Sequence, residues 1–172
     1  NSLDNLGVLT TASTDAITIT VNDADGTAVT AANLSTLGGK TAGTVTVTNA
    51  VAITGSTAEV TAALVTAGTL VVVSDAAVTI NDTPTIGELN AIAAKTTGVV
   101  TATLAAASLA DLGALTTAGT DQITITVSDA DAAAVTAANL SALGGKTAGT
   151  VTVTNAVAIT GDHDQLTAAL VT

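Results

Sequence analysis

The chain has 172 residues, a formal net charge of -11 and 48% hydrophobic residues, yet no Phe, Tyr, Trp, Cys or Met. Its apolar content excludes a charge-rich disordered segment, and the missing cysteines exclude disulfides, thiolate metal sites and a Cys nucleophile. With only Lys40, Lys95 and Lys146 as basic side chains it has no patch to neutralise phosphates, so nucleic acid is not an expected partner; the densest apolar run, LVVV (70–73), is far short of the roughly 18 residues of a membrane span.

In chain order, a hydroxyl or acid is repeatedly followed three residues later by a polar side chain and then by Leu or Val. Ser2/Asn5 opens a helical turn in this way. The strand ITITV (17–21) and the acidic corner NDAD (22–25) follow. Thr30/Asn33 opens the next helical turn, ended by Gly38 and Gly39 with Lys40 just beyond it. Then come the strand TVTVT (44–48), a corner at Asn49, a second strand VAIT (51–54) and the pair Ser56/Glu59. LVVVS (70–74), a corner at Asp75 and AVTI (77–80) lead to Thr85/Glu88, and Ser108/Asp111 follows. QITITV (122–127), the corner SDAD (128–131), Thr136/Asn139, TVTVT (150–154), VAIT (157–160) and Asp162/Gln165 complete the series. Each pair is a capping box or a close variant, in which the N-cap oxygen accepts from the N3 amide. Lysines 40, 95 and 146 sit where a cation meets the negative end of a helix dipole.

The elements repeat on two scales. LGVLTTASTDAITITVNDAD (6–25) returns as LGALTTAGTDQITITVSDAD (112–131), and LSTLGGKTAGTVTVTNAVAITG (34–55) as LSALGGKTAGTVTVTNAVAITG (140–161). The offset is about 106 residues without a gap, and the capping pairs divide it into four coils of about 26 residues. One strand parity is almost purely aliphatic (Ile19/Val21, Val45/Val47, Val71/Val73, Gly98/Val100, Ile125/Val127, Val151/Val153) and is expected inward, while the other is mostly Thr and is expected outward.

The expected fold is therefore mainly β. It is a parallel β-solenoid, or β-helix, with two short strands and one short capped helical turn per coil. The whole chain, 1–172, is expected to form a single array of about six and a half coils, a rod of roughly 30 Å. A leucine-rich-repeat-like α/β solenoid is the alternative, although the L-x-L-x-x-N run is missing. No polar cap opens or closes the pattern, so the reading is a slice of a longer array.

Asp23 and Asp25 of NDADG, with Asp129 and Asp131 of SDADA, are the candidate metal ligands, and calcium is the candidate cofactor. Counted from Asp23, position twelve of an EF-hand loop is Leu34, so that loop is excluded. The competing reading is a ladder of Asp/Asn corners, with Asp23, Asn49, Asp75, Ala102, Asp129 and Asn155 in one column, bonding local amides. The Thr rows resemble those of ice-binding proteins but are interrupted by Leu70, Val72 and Val99. His163, between two aspartates with no second His, reads as a solvated loop residue. GGKT (38–41, again 144–147) lacks the preceding phosphate-loop spacing. Catalysis is not expected: there is no activated nucleophile, and carboxylates that could cleave a glycoside have no aromatic platform beside them.

The phrases ELNAIAAKTTGVVTATLAAASLADLGALTTAGTD (88–121) and ANLSALGGKTAGTVTVTNAVAITG (138–161) resemble Ala/Thr/Val-rich repeats of giant secreted or cell-surface proteins of marine cyanobacteria, and repeats of phage fibres. The resemblance implies an extracellular, cell-surface or virion-fibre location and a structural rod or spacer. Its partners would be neighbouring repeats, with self-association into fibres or layers. A calcium-responsive or adhesive module is the first alternative and ice binding the second.

Overall fold

The computed structural model describes residues 1–171. The elements, in chain order, are α1 (Leu3–Leu6), β1 (Ile19–Val21), β2 (Ala28–Thr30), α2 (Ala31–Gly38), β3 (Val45–Val47), β4 (Ala52–Gly55), α3 (Thr57–Leu64), a 3-10 turn (Ala67–Thr69), β5 (Val71–Val72) and β6 (Ala77–Ile80). They continue with α4 (Ile86–Ala93), β7 (Val100–Thr103), α5 (Leu109–Leu112), β8 (Gln122–Val127), β9 (Ala134–Thr136), α6 (Ala137–Gly144), β10 (Val151–Val153), β11 (Ala158–Thr160) and α7 (His163–Leu170).

Every helix begins at its expected capping pair. The side-chain oxygens of Ser2, Thr30, Ser56, Thr85, Ser108, Thr136 and Asp162 each accept from the amide three residues on, at 2.9–3.4 Å. Glu59, Glu88 and Gln165 reach back to their N-cap amides and close full boxes. From these starts α2, α3, α4, α6 and α7 each run eight residues, not one turn. Ala and Leu are strong helix formers, and Leu34/Leu37 and Leu89/Ile92 bury one stripe at i, i+3. The strands, by contrast, are mostly two to four residues long.

That balance overturns the mainly-β assignment and, with it, the β-solenoid or β-helix description. The chain is 30% helix and 23% strand, an α/β protein in which parallel sheets alternate with helices. Helix was underestimated because a capping box marks where a helix starts and says nothing of its length. Strand was overestimated because a T-x-T run counts only where a neighbour pairs with it.

The chain folds as two compact units, residues 1–83 with 91–101, and 84–90 with 102–172. In the first, β1, β3 and β5 pair in parallel, Ile19 opposite Val45 opposite Val71. A second parallel ladder sets Val29 opposite Ile53, Ile53 opposite Val78 and Val78 opposite Val100. In the second unit β8 pairs with β10, Ile125 opposite Val151, and β9 pairs with β11, Val135 opposite Ile159. The aliphatic parity points inward. Val21, Val45, Ile125 and Val127 are fully covered, whereas Leu70, Val72 and Val99 on the other parity are 37–45% exposed and interrupt the Thr row.

Two register expectations fail. Val100 pairs with Val78 of β6, not with the β5 column, and Ala102 is therefore a buried strand residue, not a member of the corner ladder. Strands β2 and β9 were not expected; their three-residue A-V-T runs are too short to show a period by themselves.

Candidate functional site

The polar residues singled out in the sequence collect at two places in each copy of the long repeat, copy 1 being residues 1–66 and copy 2 residues 107–172. The first is the acidic corner between consecutive strands. Asp23 accepts from the Leu3 amide at 2.7 Å, which is the first amide of α1. Asp25 accepts from the Ala50 amide at 3.0 Å, and Asn49 donates its amide to the Asp23 carbonyl at 2.6 Å. Copy 2 reproduces all three bonds: Asp129 to the Leu109 amide, Asp131 to the Ala156 amide, and Asn155 to the Asp129 carbonyl.

The four candidate metal ligands are thus each placed at a backbone N–H 20 to 25 residues away, in the neighbouring short repeat of the same copy. A carboxylate accepting from the free amides at the start of a helix relieves donors that have no intrahelical partner. Among the described residues no three His, Cys, Asp or Glu side chains converge in a cluster that could hold a metal ion. A calcium ion at either corner would need most of its six or more oxygens from backbone or water.

The second place is the GGKT segment, which the sequence reading set aside once the phosphate loop was excluded. The Thr41 hydroxyl, on a residue only 6% exposed, accepts from the Ile17 and Gly43 amides at 2.9 and 2.8 Å. It lies 2.8 and 2.7 Å from the Asp15 and Ile17 carbonyls, to which it donates. Lys40 donates to the carbonyls of Gly7 and Leu9 at 2.6 and 2.8 Å, and Gly7 is the C-cap of α1. Its ammonium therefore serves the C-terminal end of the preceding helix, not that of its own. In copy 2, Thr147 and Lys146 make the same bonds to Asp121, Ile123, Gly149, Gly113 and Leu115. The signal that could have revealed the site was the exact recurrence of GGKT at a fixed distance from a strand; its partners, more than twenty residues upstream, could not be read.

The glycines beside this segment are contact points. A Cβ on Gly43 would overlap the Ile17 backbone, and one on Gly149 the Ile123 backbone, so adjacent chain segments approach at main-chain distance.

Asp82 adds a tie in the first unit. It accepts from the Thr57 hydroxyl at 2.5 Å and from the Thr57 amide at 2.7 Å, the first residue of α3. These bonds, the hydroxyl's first, hold its carboxyl below the usual carboxylate range. His163 occupies in copy 2 the position that Thr57 holds in copy 1. It is the first residue of α7, not a loop residue, with its side chain 90% exposed and 3.2 Å from Asp164.

Among the described residues no helix is long and apolar enough to cross a membrane. No protein-family model, no curated protein and no solved structure matches the chain.

Proposed function

We propose that the chain is a structural spacer segment of an extracellular or cell-surface array of such repeats, without a catalytic role. One observation carries this reading. The side chains best suited to chemistry, namely the corner aspartates and the Lys and Thr of GGKT, are directed at backbone groups of a neighbouring repeat, and the same set recurs in both copies. Such bonds fix the spacing between successive repeats and satisfy helix ends that would otherwise stay unpaired. The acidic surface implied by a net charge of -11 keeps molecules dispersed. The surface location rests on the resemblance of the repeats.

Limited proteolysis tests the reading. Trypsin is unsuitable with three Lys and no Arg, so a broad-specificity protease is used. A spacer gives slow, stepwise cutting at the corners, and rapid collapse to small peptides would overturn the assignment. Calorimetry in calcium and in EDTA is the companion measurement. Equal melting temperatures fit the spacer, and a shift above a few degrees would replace it with a calcium-responsive module.

A further inference from the structure

Asp25–Gly26 is the one Asp–Gly step in the chain, and the chain has no Asn–Gly step. An aspartate followed by glycine is open to attack by the main chain on its own side chain, because no Cβ obstructs the glycine nitrogen. In that reaction the Gly26 nitrogen bonds to the Asp25 carboxyl carbon and a C–O bond of the carboxyl breaks. The amide proton and the departing hydroxyl leave together as water, and a five-membered imide remains. Water then adds back at either imide carbonyl. One opening restores aspartate, and the other routes the main chain through the side chain as isoaspartate. Nothing is oxidised or reduced, and water is the only other reactant.

The corner holds both reacting groups. The Gly26 amide donates to the Ala50 carbonyl at 2.9 Å, and Asp25 accepts from the Ala50 amide at 3.0 Å. Attack requires the amide to give up its proton and the carboxyl to swing back onto it, so both bonds to Ala50 must break first. Asp25 and Gly26 are exposed, so these bonds, and not burial, stand between the chain and the reaction. Copy 2 makes the same pair: Ala132 donates to the Ala156 carbonyl at 2.8 Å, and Asp131 accepts from the Ala156 amide at 3.1 Å. Its corner is exposed as well, but there the methyl of Ala132 stands where copy 1 has glycine.

We propose that Asp25–Gly26 is a site of spontaneous isoaspartate formation, and that its reciprocal bonds to Ala50 confine the reaction to moments when the corner opens. Each event adds one carbon to the main chain just ahead of β2, whose Ala28 pairs with Ala52 of β4. It therefore marks the first unit at the point where its second ladder begins.

The test incubates the wild-type chain at neutral pH, folded in buffer and unfolded in urea, and reads isoaspartate residue by residue by fragmentation mass spectrometry. Isomerisation at Asp25 should be about tenfold or more faster in urea than in buffer. In urea it should also be about tenfold or more faster at Asp25 than at Asp131. Ala132→Gly should bring Asp131 up to the rate of Asp25 in urea. Below the unfolding transition, isomerisation at Asp25 should rise with urea in step with amide exchange at Gly26. Equal rates at Asp25 in buffer and in urea, or equal rates at Asp25 and Asp131 in urea, would overturn the proposal. So would an unchanged rate at Asp131 in Ala132→Gly, or isomerisation at Asp25 that climbs while the Gly26 amide stays protected.

Discussion

Copy 1 and copy 2 differ at 15 of 66 positions, and matching residues of the two are buried differently. In copy 1 Ile17, two residues ahead of β1, is 37% exposed, while Leu64 is 1% exposed. In copy 2 the leading Ile123 is fully buried and the trailing Leu170 is 60% exposed. The hydrogen bonds inside each copy are nearly superimposable down to individual atoms. Residues 67–73 cover the face of copy 1 that holds Leu64, and copy 2 has no counterpart of them within residues 1–172. The recurring hydrogen bonds follow the repeated residues, and burial follows the segments packed against each face.

The sharpest way to break this comparison is to truncate the paired leucines. Leu64→Ala should cost about 3 kcal/mol, since it empties a filled core site. Leu170→Ala should stay within about 0.5 kcal/mol, as an exposed substitution does. With no aromatic residue in the chain, urea unfolding is followed by far-ultraviolet circular dichroism and residue-resolved amide exchange. Equal losses would show that the two faces are covered alike in solution.

The paired glycines come next, and here the sign should reverse. Gly38→Ala drives a methyl into the Thr69 carbonyl and should cost about 2 kcal/mol by overpacking. Gly144→Ala adds a helix-favouring residue in open space and should gain up to about 1 kcal/mol. A loss at both positions would mean that the copy 2 face is occupied.

A smaller reversal is expected at the corner. Gly26 has φ 72°, and its counterpart Ala132 is held at φ 61°. A left-handed conformation is costly for any residue with a Cβ. Gly26→Ala should destabilise the first unit by about 1 kcal/mol, and Ala132→Gly should stabilise the second by about the same amount. Exchange at the amides of each unit reads the two separately.

The smallest effect is a pH dependence at the tie between Asp82 and Thr57 in the first unit. The folded carboxyl of Asp82 lies below its ordinary value. Its contribution to stability is therefore complete above the unfolded carboxylate range, near pH 4, and is lost as pH falls through the lower folded value. The stability difference between the wild type and Asp82→Asn should be constant at neutral pH and close below about pH 4. A difference that persists to acid pH would assign the tie to hydrogen bonding without charge.

Much of this was legible in one dimension. The capping pairs are three residues apart, so their geometry is local and every one forms as expected. Strand parity is equally local, and Ile19, Val45 and Ile125 point inward as the alternation requires. Corner aspartates could be seen as a column, but their acceptor roles toward Leu3, Ala50, Leu109 and Ala156 could not, because those amides belong to other repeats. The same holds for Lys40 and Thr41, whose partners, apart from Gly43, are 24 to 33 residues upstream. Class itself was misjudged: caps fix the start of a helix, and only the burial of Leu34 with Leu37, or Leu89 with Ile92, carries it through eight residues.

Sequence alone determined the repeat, the helix starts, the inward parity and the acidic, aromatic-free surface, because each depends on residues within a few positions of one another. Tertiary structure decided the α/β balance, the pairing of Val100 with Val78 and the backbone partners of Lys40, Thr41 and the corner aspartates. Those outcomes depend on which segment lies beside which, and two stretches of similar sequence with different neighbours bury different residues.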